Sequence, residues 1–183
     1  TELGSLDILV NNAGTLDHVG QLLDQQPELW ERDLSVNLTG AFNCARAAWP
    51  HMKERGWGRI VNMASVAGTL GGFGQASYSS TKAGLLGLTR AAAKELGKFG
   101  ITVNAVCPGM IDTELTREHA DEALLEKLAA GYPVPRIGTA REVADLGVDR
   151  ELDLLFDGSD QPFRDPGDVG QASEEAASAP GRA

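Results

Sequence analysis

Apolar residues fall along this chain in two alternating kinds of run. Short unbroken runs end in small, polar or turn residues. These are Leu6-Asp7-Ile8-Leu9-Val10 before Asn11-Asn12-Ala13-Gly14, Arg59-Ile60-Val61-Asn62-Met63-Ala64 before Ser65-Val66-Ala67-Gly68, and Gly100-Ile101-Thr102-Val103-Asn104-Ala105-Val106 before Cys107-Pro108-Gly109. Runs of this length, bounded by turn signals, predict buried strands. Between them lie longer stretches with apolar positions at helical spacing. One opens at Pro27-Glu28 and continues to about Glu54, with Leu29, Trp30, Leu34, Ala41, Ala45, Ala48 and Met52 mostly on one face, and Gly56-Trp57-Gly58 closes it. After the glycine-rich loop Gly71-Gly72-Phe73-Gly74, a second helix is expected from Ser77 to Gly97, with Leu85, Leu88, Ala92 and Leu96 together. A shorter one is expected from Glu118 to Ala130. Strands alternating with helices predict an α/β domain built on a parallel sheet with helices on its faces.

The alternation stops before the chain does. Residues 1–139 carry a net charge of −3 and residues 140–183 a net −7, out of −10 in all. From about Asp157 the chain is rich in Asp, Glu, Ser, Pro and Gly, a composition that cannot bury enough apolar surface to order itself. The expected organisation is a folded domain over residues 1–146 and an acidic, largely disordered tail over 147–183. The abrupt change near Gly147 leaves two readings open, a shifted or mis-assigned reading frame and a natural tail.

The rest of the composition mainly excludes. No run of 18 apolar residues is present, so no membrane span is expected. Thr1-Glu2-Leu3-Gly4-Ser5 has no basic or apolar leader character. The acidic balance argues against nucleic acid as a partner. Cys44 and Cys107 make neither a disulfide framework nor a zinc-site spacing, and His18, His51 and His119 lie near no cysteine pair. A cytoplasmic protein without a metal site is the expectation.

The chemistry gathers at the strand ends. If the strands are parallel, Asn11 to Gly14, Ala64 to Gly68 and Pro108 to Thr113 lie on one sheet edge, where ligands of such sheets bind. Each alone also reads as a plain turn. Tyr78 and Lys82 are four apart at the start of a helix and so share a face. A phenol is a poor acid–base group at neutral pH until a neighbouring ammonium favours its ionised form. The spacing occurs by chance in many helices. Ser65, thirteen residues upstream at a strand end, changes the balance, because it can reach the same cleft and donate to a substrate oxygen.

Taken in order, Asn11-Asn12-Ala13-Gly14, Asn37 in Val36-Asn37-Leu38-Thr39-Gly40, Ser65, Tyr78-Ser79-Ser80-Thr81-Lys82 and Pro108-Gly109-Met110-Ile111-Asp112-Thr113 resemble the short-chain dehydrogenase/reductase family, over about Leu6 to Val143. The flavour is nearest to 3-oxoacyl-carrier-protein reductases. The resemblance implies a partial Rossmann-type, doubly wound parallel sheet with helices on both faces. It implies an NAD- or NADP-dependent oxidoreductase acting on a small carbonyl or alcohol substrate. Tyr78 would be the acid–base residue and Lys82 would lower its pKa and hold the nicotinamide ribose. Ser65 would polarise the substrate oxygen, and Asn37 would hold a water that relays protons from Lys82. Asn12, Ala13, Gly14, Pro108, Gly109, Ile111 and Thr113, with Tyr78 and Lys82, would line the cofactor. Thr113 equally suits a helix cap. The segment from Asp112 to Pro135 would be the substrate lid. Ala-rich faces on the two long helices suit either intrachain packing or the homo-oligomer, dimer or tetramer, of a full-length parent.

Two departures qualify the resemblance. Family members open with a strand and a glycine-rich turn that cradles the pyrophosphate at a helix N-terminus. Gly71 to Gly74 lies on the wrong side of Ser65 for that role. No last strand ending near Asp-Gly-Gly follows Leu146. The chain is therefore expected to be a fragment of such an enzyme and inactive by itself. A non-catalytic truncated member that associates with full-length homologues is the alternative.

Overall fold

The computed structural model describes residues 4–132 and 134–148. Its main elements are β1 (Ile8–Asn11), α1 (Pro27–Asp33), a π-helical segment (Leu34–Thr39), α2 (Gly40–Arg55), β2 (Gly58–Met63), α3 (Ala67–Leu70), α4 (Ala76–Leu96) and β3 (Ile101–Val106). Then come β4 (Ile111–Asp112), α5 (Glu114–His119), α6 (Glu122–Ala129), β5 (Gly138–Thr139) and α7 (Ala140–Val148). Strands β1, β2 and β3 lie side by side in that order, all parallel, so their carboxyl ends share one edge as expected. The chain has the Rossmann-like α/β fold.

Register decides which residues meet. Leu9 pairs with Ile60 and Ile60 with Val103, so these side chains lie in one row on one face. That face packs on α2 and α4, where Ala48, Met52, Ala93 and Leu96 close the core over Ile60, Ile101 and Val103. Ala41, Ala48 and Ala93 are spent inside the chain, which answers part of the question the Ala-rich faces raised. Polar residues on the same face are paired across layers. Asn11 Nδ2 donates to Asn62 Oδ1 at 2.8 Å, and Asn62 Nδ2 donates to Thr89 Oγ1 at 2.9 Å. Thr89 Oγ1 in turn donates to the Leu85 carbonyl at 2.7 Å. Buried amides need such partners, and this chain of bonds ties β1 to β2 and α4.

The other face of β1 is bare: Ile8 is 54% and Val10 52% exposed. Parallel sheets ordinarily bury both faces.

Three sequence expectations change. The helix expected over Glu118 to Ala130 is two helices, because Thr113 caps α5 and Asp121 accepts from Leu124 N–H to start α6 anew. The long helix from Pro27 is interrupted by the π turn around Asn37. Helix α7 runs through Val148, past the expected boundary at 146, while residues 149–183 of the expected tail lie outside the described residues.

Candidate active site

Ser65 and Tyr78 meet at the carboxyl edge. Ser65 follows β2 directly, and its Oγ accepts from the Ala67 N–H at 3.1 Å as α3 begins. Tyr78 lies in the first turn of α4, and the Ser65 side chain is near enough to act on its phenol. Lys82, one turn further along α4, is buried. Its Nζ stands 5.4 Å from the centre of the Tyr78 ring and donates to the Met63 carbonyl at 2.6 Å, at the end of β2.

Gly68 brings the two sides together. A Cβ there would stand 2.6 Å from the Lys82 carbonyl carbon and 2.8 Å from the Ala83 nitrogen, so α3 and α4 touch backbone to backbone where Lys82 leaves its helix. The glycine is needed for this packing.

The electrostatics run against the sequence expectation. Burial raises the Tyr78 phenol above its ordinary value, the Ser65 side chain opposes this, and the Asp33 carboxylate adds to the rise. Burial also lowers Lys82 to about 8. An ammonium beside a phenol favours phenolate, whereas burial acts on the Tyr78 phenol in the opposite direction. The folded chain thus prefers neutral lysine, while the unfolded chain keeps its proton up to about 10.5. Between these values the unfolded state binds more protons, so stability rises with pH through that window. The melting-temperature advantage of Lys82→Met over the parent is expected to be larger near neutral pH than at about pH 10. An advantage independent of pH would contradict this.

Asn37 is buried in the π segment, and its side-chain amide is fully engaged. Its Oδ1 accepts from Thr15 N–H at 2.7 Å, while its Nδ2 donates to the Thr15 carbonyl at 2.9 Å and to Thr81 Oγ1 at 3.3 Å. It therefore clamps the loop after β1 to α4. Asn12, Ala13 and Gly14 lie exposed in that loop. A Cβ on Gly14 would come within 3.2 Å of Asn37 Oδ1 and 3.4 Å of Lys82 Nζ, so the bare glycine passes directly over both.

The third strand end joins the same edge. Val66 N–H donates to the Pro108 carbonyl at 3.0 Å, and Ala64 N–H to the Val106 carbonyl at 2.8 Å. Gly109 is open to solvent and Ile111 is half-buried. Thr113 accepts from Thr116 N–H at 3.3 Å, the capping role its sequence also allowed. Beyond it, a hollow of about 430 Å³ between α5, α6 and residues 135–137 is lined by Arg117, Leu125, Ala129 and Arg136. It contains none of Ser65, Tyr78 or Lys82. Among the described residues, no three His, Cys, Asp or Glu side chains group as metal ligands, and no helix is long and apolar enough to cross a membrane.

Sequence reasoning missed Asp33, which touches both Ser77 and Thr15. In sequence it sits in Glu31-Arg32-Asp33, which reads as a solvated face.

Comparison with known proteins identifies the chains this one is similar to. The family described as enoyl-(acyl carrier protein) reductase matches residues 1–148. An acetoacetyl-CoA reductase of Rhizobium meliloti (strain 1021) is 47% identical over 143 residues, 78% of this chain and 59% of the relative. The 3-oxoacyl-[acyl-carrier-protein] reductase FabG of Staphylococcus aureus (strain Mu50 / ATCC 700699) is 44% identical over 146 residues, 79% of this chain and 58% of the relative. The chain thus spans less than two thirds of the length of these curated relatives. Among solved structures, a gluconate 5-dehydrogenase from Burkholderia cenocepacia J2315, in complex with NADP and tartrate, superposes with a TM-score of 0.75 at 36% identity. That match covers 79% of this chain and 57% of the other.

Proposed function

The chain belongs to the short-chain dehydrogenase/reductase family, and from that premise we propose that it derives from an NAD(P)-dependent oxidoreductase that reduces 3-oxoacyl thioesters. The observation that carries the reading is the buried Lys82 on α4 with its Nζ 5.4 Å from the centre of the Tyr78 ring, at the sheet's carboxyl edge where Ser65 stands just after β2. Two reductases of such substrates among the relatives support the substrate class.

The residues present fit the nicotinamide–ribose half of the cofactor. Gly14 leaves the polar end of Lys82 uncovered by side chain, and the loops at Asn12 to Gly14 and Pro108 to Ile111 border the same edge. A bound nicotinamide supplies or accepts the hydride. Ser65 orients the substrate oxygen by donating to it. Tyr78, held protonated by its burial, gives that oxygen a proton. Lys82 binds the ribose and, with a folded pKa of about 8, passes protons at neutral pH. Asn37 shapes the site by fixing Thr15 and reaching Thr81. The lid from Asp112 to Pro135 carries the acyl side, and a cytoplasmic enzyme without metal fits the whole.

A second reading is favoured by the bare face of β1. A chain with Ile8 and Val10 uncovered is suited to association with full-length homologues without turning over substrate itself. Titration of the purified chain with NADH and NADPH separates the two. Saturable binding at micromolar concentration or below is expected of a competent chain. Absence of binding, with co-elution alongside a full-length homologue on size exclusion, would favour the second.

A further inference from the structure

Asp33 is a carboxylate only 1% exposed. A buried charge persists in a fold only with strong hydrogen-bond donors. Asp33 has two: Thr15 Oγ1 donates to Oδ1 at 3.0 Å, and the Ser77 hydroxyl donates to Oδ2. Ser77 is itself buried.

The arrangement is a ladder with two rungs. Asp33 and Asn37 stand four apart on α1 and the π segment, and Ser77 and Thr81 stand four apart on α4. Ser77 donates to Asp33 on one rung, and Asn37 donates to Thr81 on the other. Thr15 enters both, by its main chain at Asn37 and by its hydroxyl at Asp33. Tyr78 and Lys82 each follow a rung residue by one position on α4, so the ladder fixes the rotation of the helix that presents them.

We propose that Asp33 is a positioning residue for Tyr78, clamping the loop after β1 to the first turn of α4 and setting a fixed negative charge near the phenol. This rests on the reading of Tyr78 as the acid–base group. Four groups face the phenol or its partner. Asp33 comes from α1 and Lys82 from the same helix, with Nζ 5.4 Å from the ring. Ser65 follows β2, and the Cys107 thiol after β3 lies near Ser65. Asp33 is the one anion among the causes that act on the phenol, and its charge opposes phenolate formation.

The chain has two tyrosines, Tyr78 and Tyr132. Labelling the tyrosine ring carbon that bears oxygen with 13C in the full chain therefore gives two NMR signals, assigned with Tyr132→Phe. In Asp33→Asn the Tyr78 titration is expected to shift to lower pH, with Tyr132 unmoved. Asp33→Glu should reverse most of that shift. An unchanged Tyr78 titration in folded Asp33→Asn overturns the proposal. Should Asp33→Asn fail to fold, Ser77→Ala decides, because it keeps the charge and cuts one rung. A displaced or broadened Tyr78 signal supports the clamp, and a signal identical to the parent's overturns it. The readout is ionisation rather than turnover. A fully active Tyr78→Phe would refute the acid–base reading while leaving the Asp33 shift measurable.

Discussion

On the proposed function, Tyr78→Phe in a chain that binds cofactor is expected to lower turnover of a 3-oxoacyl thioester with NADH or NADPH by about 10²–10⁴-fold, the usual contribution of a general acid. The loss should fall on kcat with little change in KM. The phenylalanine keeps the ring that packs at the start of α4 and removes only the hydroxyl. Circular dichroism should therefore match the parent. The pH profile has a definite sign. Because the phenol is raised in the folded chain, it stays protonated through neutral pH, and reduction should weaken first as Lys82 loses its proton near pH 8 and further as the phenol ionises. Equal kcat in parent and variant would remove Tyr78 from the reaction.

Gly68→Ala is the substitution with the largest expected effect on the fold. Its Cβ would meet backbone atoms of Lys82 and Ala83 at 2.6 to 2.8 Å, and backbone cannot rotate aside as a side chain can. Overpacking of this kind costs about 1–3 kcal/mol. The strain falls where Lys82 leaves α4, so the Lys82 amine should also move from the Met63 carbonyl. Gly87→Ala on the same helix is the control. Nothing lies within 4 Å of a Cβ there, so helix propensity alone acts and stability should rise by about 1 kcal/mol. Denaturant midpoints for both variants check the pair. A Gly68→Ala chain as stable as the parent would show that the α3–α4 contact yields easily.

These sites differ in how far the sequence reveals them. The three parallel strands were legible because each apolar run is short and ends in turn residues. The shared carboxyl edge followed from parallel pairing. Ser65, Tyr78 and Lys82 were legible as a set because two of them share a helix face. What stayed hidden depends on distant partners. Leu34–Thr39 has the apolar spacing of an ordinary helix, and only its hydrogen-bond register makes it π-helical. Asp33 looks solvated until Thr15 and Ser77, 18 and 44 residues away, are brought to it. The rise of the Tyr78 phenol is likewise a property of burial, which local sequence does not carry. The split between α5 and α6 was within reach, since Asp121 has the chemistry of a helix cap.

The π segment also acts as a phase setter between two halves of one long helix. A π turn holds one residue more than the α turn it replaces, and each residue advances a helix by about 100°. Deleting a single residue between Asp33 and Gly40 would let the helix run on unbroken. Kept at full length but wound as ordinary α-helix, the same six residues would instead turn further by about that angle, swing α1 about the axis and carry Asp33 away from Ser77. The π register of these six residues thus counts for as much in placing Asp33 as the identity of any residue that touches Tyr78, whereas the exposed stretch around Leu22 and Leu23 sets no such phase.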